Sequence, residues 1–184
     1  MKASAALASG VRPSTPPVQA IGGTRAINGE RPGWDALRQR LYWVDMRRPA
    51  LHAHDPAIGR SQHWEMPAWI GCYGIARDGR LVVALRTGLH CFDPADGSLR
   101  PLVAAPYDMR RFCFNDGRCD RQGRLVVGPM YHPLDPGDAN PQAPRHERLW
   151  RYEPRAGLLP LDLPPVRIAN GLAFSPDGRT LYHS

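Results

Sequence analysis

The chain has 184 residues, 42% of them apolar, with 20 prolines and 18 glycines. That length supports one domain with a real core, and the wealth of turn formers suits an all-β chain rather than a helical or low-complexity one. Net charge is +7, yet Lys2 is the only lysine and the arginines stand mostly singly beside turns, which argues against a nucleic-acid patch; no apolar run is long enough to span a membrane.

Residues 1–24, rich in Ala, Ser, Pro and Thr, predict a disordered N-terminal tail ahead of a domain over 25–184. Within that domain one unit recurs. A divergent first copy covers 27–67, with strands at 41–45, 50–56 and 64–66. The second runs through 70–76, the turn Arg77-Asp78-Gly79-Arg80, then 81–85, 88–94 and 99–103. The third has 114–120, a turn at 121–124, then 125–128, 148–154 and 158–163, interrupted by a Pro-rich insert at 131–147. A fourth starts at Ile168 and stops after its second strand. Asp-Gly and Gln-Gly turns supply the positive φ that hairpins need, and Asp-Pro or Glu-Pro ends each third strand because proline cannot donate to the ladder. Short strands repeated in units of this size predict a β-propeller, here about three and a half four-stranded blades. A β-sandwich would accommodate the strands but not explain the repeat.

In a propeller the first strand of each blade lines the central channel, so side chains at one register converge near the axis. Asn115 stands 8 residues before the turn glycine Gly123, and Asn170 stands 8 before Gly178. Gly71 holds the same place before Gly79. In the first copy Arg31 falls on that register; a one-residue bulge at Pro32-Gly33 would turn Glu30 inward instead. One carboxylate and two amide oxygens form an oxygen ligand set for a divalent cation. Plainer readings stand beside this one: an Asx turn at Asn115, a tight turn at Asn170 and a solvated Glu30. Alternation along the strand turns Asp116 away from the axis. His52 and His54 share a strand face that is expected to meet solvent, and the five tryptophans are expected to pack between blades. Cys72, Cys91, Cys113 and Cys119 show no Cys-x-x-Cys pair and read as free thiols of a reducing, cytoplasmic setting. The insert is placed to lie over the channel mouth with His132 or Asp135, or else to be a plain surface excursion.

Three motifs carry a resemblance. Glu30-Arg31-Pro32-Gly33-Trp34-Asp35 with Arg40-Leu41-Tyr42-Trp43-Val44-Asp45, then Phe114-Asn115-Asp116-Gly117-Arg118-Cys119-Asp120 with Gly123-Arg124, then Asn170-Gly171-Leu172-Ala173-Phe174-Ser175-Pro176-Asp177-Gly178 occur in the order of the gluconolactonase/regucalcin (senescence-marker-protein-like) sugar lactonases. The resemblance implies a six-bladed propeller that opens a sugar lactone with one divalent cation, calcium or zinc. It assigns Glu30 and Asn170 to the metal, Asn115 to substrate or water, and the general base to an aspartate expected beyond Ser184. Where the family often has an arginine two residues before the second-motif asparagine, this chain has Cys113, leaving Arg111 as the nearby candidate for substrate contact. The family's Gly-Thr-Met reads Gly128-Pro129-Met130 here. The alternatives are a calcium- or partner-binding propeller without catalysis and an inactive gene fragment. The oligomeric state is left open.

Overall fold

A computed structural model of the chain describes residues 18, 20, 21, 23–135, 137 and 142–184. Most of the expected tail and residues 136 and 138–141 of the insert lie outside the described residues. The rest is all-β. Strands β1 (Gly29–Asp35), β2 (Arg40–Asp45), β3 (Ala50–Asp55) and β4 (Arg60–Glu65) form one antiparallel sheet in sequence order. β5 (Ile70–Ile75), β6 (Leu81–Leu85), β7 (Gly88–Phe92) and β8 (Leu99–Ala104) form a second. β9 (Phe112–Cys119), β10 (Leu125–Tyr131), β11 (Trp150–Glu153) and β12 (Gly157–Pro160) form a third, and β13 (Ala173–Phe174) pairs with β14 (Leu181–Tyr182). Among the described residues no helix is long and apolar enough to cross a membrane.

The turns behave as their residues dictate. Gly79, Gly123 and Gly178 sit at φ 97°, 80° and 72°, a region open to glycine at no steric cost. In the first sheet Gln39 takes the equivalent place at φ 54°, which is why that copy lacks the turn glycine of the others and reads as divergent.

Three apolar clusters fill the spaces between successive sheets. Val44, Leu51, Ile70, Tyr73, Val83 and Phe92 pack the first sheet on the second. Cys72, Leu89, Phe112, Phe114, Leu125 and Val127 pack the second on the third. Val126, Leu149, Ala169 and Leu172 carry the packing on to the 169–182 segment. β6 and most of β10 therefore bury both faces, as their unbroken apolar runs demanded, whereas β2 is only half-buried on one face and Tyr182 of β14 is exposed. Buried polar side chains tie the ends. Burial acts to raise the Asp45 carboxyl, but the N–H groups of Ile27, Arg48, Asn28 and Arg47 outweigh it and hold the group below the ordinary carboxylate range. Arg86 is buried and donates to the carbonyl oxygens of Met109 (2.8 Å), Phe112 (3.1 Å) and His132 (3.1 Å), clamping the second sheet to the third.

Two expectations about packing fail. His52 and His54 are buried rather than solvent-facing, at 6% and 7% exposure. His52 is stacked between Trp43 (5.1 Å) and His63 (5.6 Å), and His54 Nδ1 meets Ser61 Oγ at 2.9 Å. The outer strand β4 covers them, and alternation alone does not reveal that cover. Trp34, expected between sheets, is instead exposed (46%), whereas Trp43, Trp64, Trp69 and Trp150 are half-buried against rings or apolar side chains. All four cysteines are free, and burial pushes the Cys113 thiol up to about 12, so it is a core thiol rather than a nucleophile.

Candidate functional site

The inner strands meet at the register singled out by the repeat, and each of them slips there by one residue. In β5, Ile70 pairs with Leu85 and Cys72 with Ala84, leaving Gly71 unpaired. In β9, Asp116 pairs with Gly128 and Phe114 with Pro129, leaving Asn115 unpaired. In β1, Glu30 pairs with Val44 and Gly33 with Tyr42, so Arg31 and Pro32 face one partner residue. The bulge expected next to Glu30 is present, and Arg31 within it has φ 55°. Its Nε donates to Gly117 O (2.7 Å) and its guanidinium lies 5.4 Å from the Tyr73 ring centre, so β1 reaches across β5 to β9.

Glu30 and Asn170 line one cleft of about 290 Å³, together with Arg31, Pro32, Asp116, Arg118, Gly171, Leu172 and Ala173. Both are exposed side chains in that cleft. Asn170 Oδ1 accepts from Gly171 N (3.0 Å), and the Asn170 backbone pairs in both directions with Ser184. Asn115 does not line the cleft. Its Nδ2 donates to Ala169 O (2.8 Å), the residue before Asn170, and its Oδ1 is the atom left over. Arg111 does not line it either. Arg111 donates to Pro144 O of the insert and lies over the rings of Phe112 (5.5 Å) and Tyr131 (5.7 Å).

Asp116 is the correction. Alternation predicted that it turns away from its neighbour's direction, yet it lines the same cleft as Glu30 and Asn170. The slip at Asn115 breaks the period of two, and the residue after a bulge is re-aimed. Its Oδ1 accepts from Gly117 N (2.7 Å) and its Oδ2 from Leu172 N (3.0 Å). Arg31, set aside on its register in favour of Glu30, lines the cleft beside it, and Arg118 was missed as a cleft residue. The tell-tale for Asp116 was the Asn-Asp-Gly sequence at a bulge-prone position; Arg31 stood on the axial register itself, and no sequence signal marked Arg118.

His132, one of the two insert residues expected over the channel mouth, is taken up elsewhere. Arg86 Nη2 lies 2.8 Å from its Nδ1, and its ring is 4.5 Å from Trp69. Burial, and then the Arg86 charge, pushes its pKa below the ordinary histidine value.

A cation seated here would meet the Glu30 carboxylate and the Asn170 amide oxygen, while the Asp116 carboxylate beside them already accepts backbone N–H groups with both its oxygens. Among the described residues no three His, Cys, Asp or Glu side chains cluster as a metal site, so such an ion needs the amide oxygen as well. Oxygen donors of mixed charge, with room for water in an open cleft, fit a hard divalent cation.

A family model described as the SMP-30/Gluconolactonase/LRE-like region matches residues 28–184. The chain belongs to that family. It is 36% identical over 160 residues to 6-deoxy-6-sulfogluconolactonase of Pseudomonas putida, covering 86% of this chain and 52% of that protein. It is 33% identical over 160 residues to L-arabinolactonase of Azospirillum brasilense, covering 86% of this chain and 51% of that protein. Among solved structures, a calcium-binding regucalcin from Agrobacterium tumefaciens superposes with a TM-score of 0.76 at 24% identity, covering 89% of this chain and 52% of that one. A gluconolactonase from Xanthomonas campestris gives 0.68 at 26% identity, covering 87% and 55%. The chain thus spans about half the length of the family members it matches. The three motifs of the family resemblance all fall inside the matched region.

Proposed function

We propose that this chain belongs to a metal-dependent sugar lactonase, hydrolysing an aldonolactone to its open-chain acid, and that its sheets are three and a half blades of a six-bladed β-propeller. The observation that carries the reading is that Glu30 and Asn170, from motifs at opposite ends of the domain, line one cleft. The lactonase relatives support the reaction class. In this reading Glu30 and Asn170 hold one divalent cation, calcium or zinc. Bound there, the ion would polarise the lactone carbonyl and acidify water.

The chain's own residues orient and screen. Asn115, beside the cleft rather than in its lining, has its Oδ1 left for substrate or water while its Nδ2 holds Ala169 O. Arg111, just ahead of β9, would contact substrate hydroxyls only on leaving the Pro144 carbonyl that holds it outside the cleft. Arg31 and Arg118 set a positive rim that favours the carboxylate product's developing charge. The proton acceptor is the later aspartate of the family pattern rather than Asp116, because both Asp116 oxygens already accept backbone N–H groups. The four free cysteines support a cytoplasmic setting as part of the same reading.

The test is acid release from an unsubstituted six-carbon aldonolactone, followed at constant pH above the spontaneous rate. Added calcium or zinc should raise the rate, a chelator should remove it, and Asn170→Ala should lower it by about 100-fold or more, the order lost when a group that stabilises developing charge is deleted. Turnover indifferent to chelator and to Asn170→Ala would overturn the metal assignment. Cation binding without turnover of any aldonolactone would instead support a non-catalytic propeller.

A further inference from the structure

The segment that carries Asn170 is gripped from β9 on both sides of that residue. Asn115 Nδ2 donates to Ala169 O (2.8 Å) ahead of it. Asp116 Oδ2 accepts from Leu172 N (3.0 Å) behind it, and Arg118 Nε donates to Leu172 O (3.3 Å). On the far side Ala169 N donates to Pro129 O (2.8 Å), and a Cβ on Gly128 would stand 2.5 Å from Leu149 Cδ2 and closer still to Ala169 Cβ. Gly171, between Asn170 and Leu172, sits at φ 62°. The Asn170 side chain itself makes one hydrogen bond, accepting from the next residue's N–H. Its direction is therefore set by the backbone that β9 holds, not by side-chain packing of its own.

Of the three grips, Asp116 is the one with both side-chain oxygens engaged, one on Gly117 N and one on Leu172 N. Hydrogen bonds that end on a carboxylate are shorter and stronger than neutral ones. We propose that Asp116 is a positioning residue: it fixes the Leu172 backbone across the gap between β9 and β13 and thereby aims the Asn170 carboxamide into the cleft shared with Glu30. This rests on the reading of Asn170 as a cation ligand. Partners that orient a metal ligand typically govern about 10–100-fold in metal affinity. The carboxamide of Asp116→Asn cannot replace the carboxylate, because its NH₂ would face one of the two N–H donors. Asp116→Ala leaves both donors without their acceptor.

The experiment separates the grip from the ion. Without metal, the Leu172 amide exchange rate and the Asn170 side-chain amide resonances are recorded for the wild-type chain, Asp116→Asn and Arg118→Gln. Calcium chloride is then titrated calorimetrically. Asp116→Asn should speed Leu172 exchange, move the Asn170 resonances and weaken calcium binding about 10–100-fold. Arg118→Gln changes an exposed side chain and spares the core. It should move the same resonances less, and it keeps the proposal testable if Asp116→Asn does not fold. Unmoved Asn170 resonances with weakened calcium binding would make Asp116 a direct ligand and overturn the positioning role. Moved resonances with unchanged affinity would overturn it too. A wild-type chain that takes no cation sinks the metal reading alone, since the exchange and resonance measurements still decide the grip.

Discussion

Gly71→Ala is the substitution that tests the architecture most directly. Gly71 is the unpaired residue of the β5 bulge, and a Cβ built on it would lie 2.8 Å from Asn115 N and closer still to the Phe114 carbonyl. All of these atoms are backbone, so no rotamer change relieves the clash. Restoring van der Waals contact requires β5 and β9 to separate by about 1 Å, and forcing a methyl group into such a contact costs about 3 kcal/mol. Alanine returns about 0.5–1 kcal/mol through the smaller entropy of its unfolded chain. The net loss is therefore about 2 kcal/mol, which for a urea dependence of about 2 kcal/mol/M lowers the unfolding midpoint by about 1 M. The same movement carries Asn115 with it, and a displacement of about 1 Å at a reacting centre costs up to about 100-fold in rate. Urea denaturation of Gly71→Ala beside Gly59→Ala is the assay. Gly59 has φ 64° and nothing within 4 Å of its would-be Cβ, so its variant reports backbone strain alone, about 1 kcal/mol. If Gly71→Ala unfolds within about 0.5 kcal/mol of the wild type, the claim that the inner strands touch at this register is refuted.

Two further outcomes follow from buried polar groups. Arg86→Met should cost about 3 kcal/mol in urea, because it strips the carbonyls of Met109, Phe112 and His132 of their donor; Arg86→Lys should recover only part, since one ammonium cannot reproduce the fork, and an unchanged midpoint in Arg86→Met would refute the clamp. Burial, and then the charge of His63, holds the His52 pKa below its ordinary value. Its contribution is thus fully present above the unfolded value of about 6.5 and is lost as pH falls through the folded one. The drop in thermal midpoint between pH 7.5 and pH 5 should shrink in His52→Phe, and an unchanged drop would clear His52 of the effect.

The sequence was most legible where a local rule decides the structure. Turn glycines, proline-terminated third strands and unbroken apolar second strands locate the sheets to within a few residues, because each rests on one residue's φ or on one face's burial. Legibility ended where a neighbouring element decides. His52 and His54 lie on a strand face that alternation leaves ambiguous, and the cover supplied by β4 is a tertiary fact. The N-terminal strand of the first sheet was blurred because Gln39 stands where the other copies have glycine. Arg86 gave no signal at all, since a lone arginine after an apolar strand looks like any solvated surface charge until the carbonyls of two other segments converge on it.

Asp116 shows why the site was half legible. The repeat marks one register, 8 residues before each turn residue, and the chain places Arg31, Gly71, Asn115 and Asn170 on it. In the three full sheets that register coincides with a break in the ladder. A strand that kept its pairing there would point only every second side chain at the axis. The slip lets adjacent residues serve the same region: Glu30 and Arg31 of β1 both line the cleft, and Asn115 and Asp116 of β9 both bond to the segment that carries Asn170. It also frees backbone groups to bond between sheets, as Gly117 O does with Arg31. Periodicity arguments assume an unbroken ladder, so they locate the register and misassign its neighbours. The bulged position is where the fold gives up regular pairing, and in this chain the cleft is built from that irregularity.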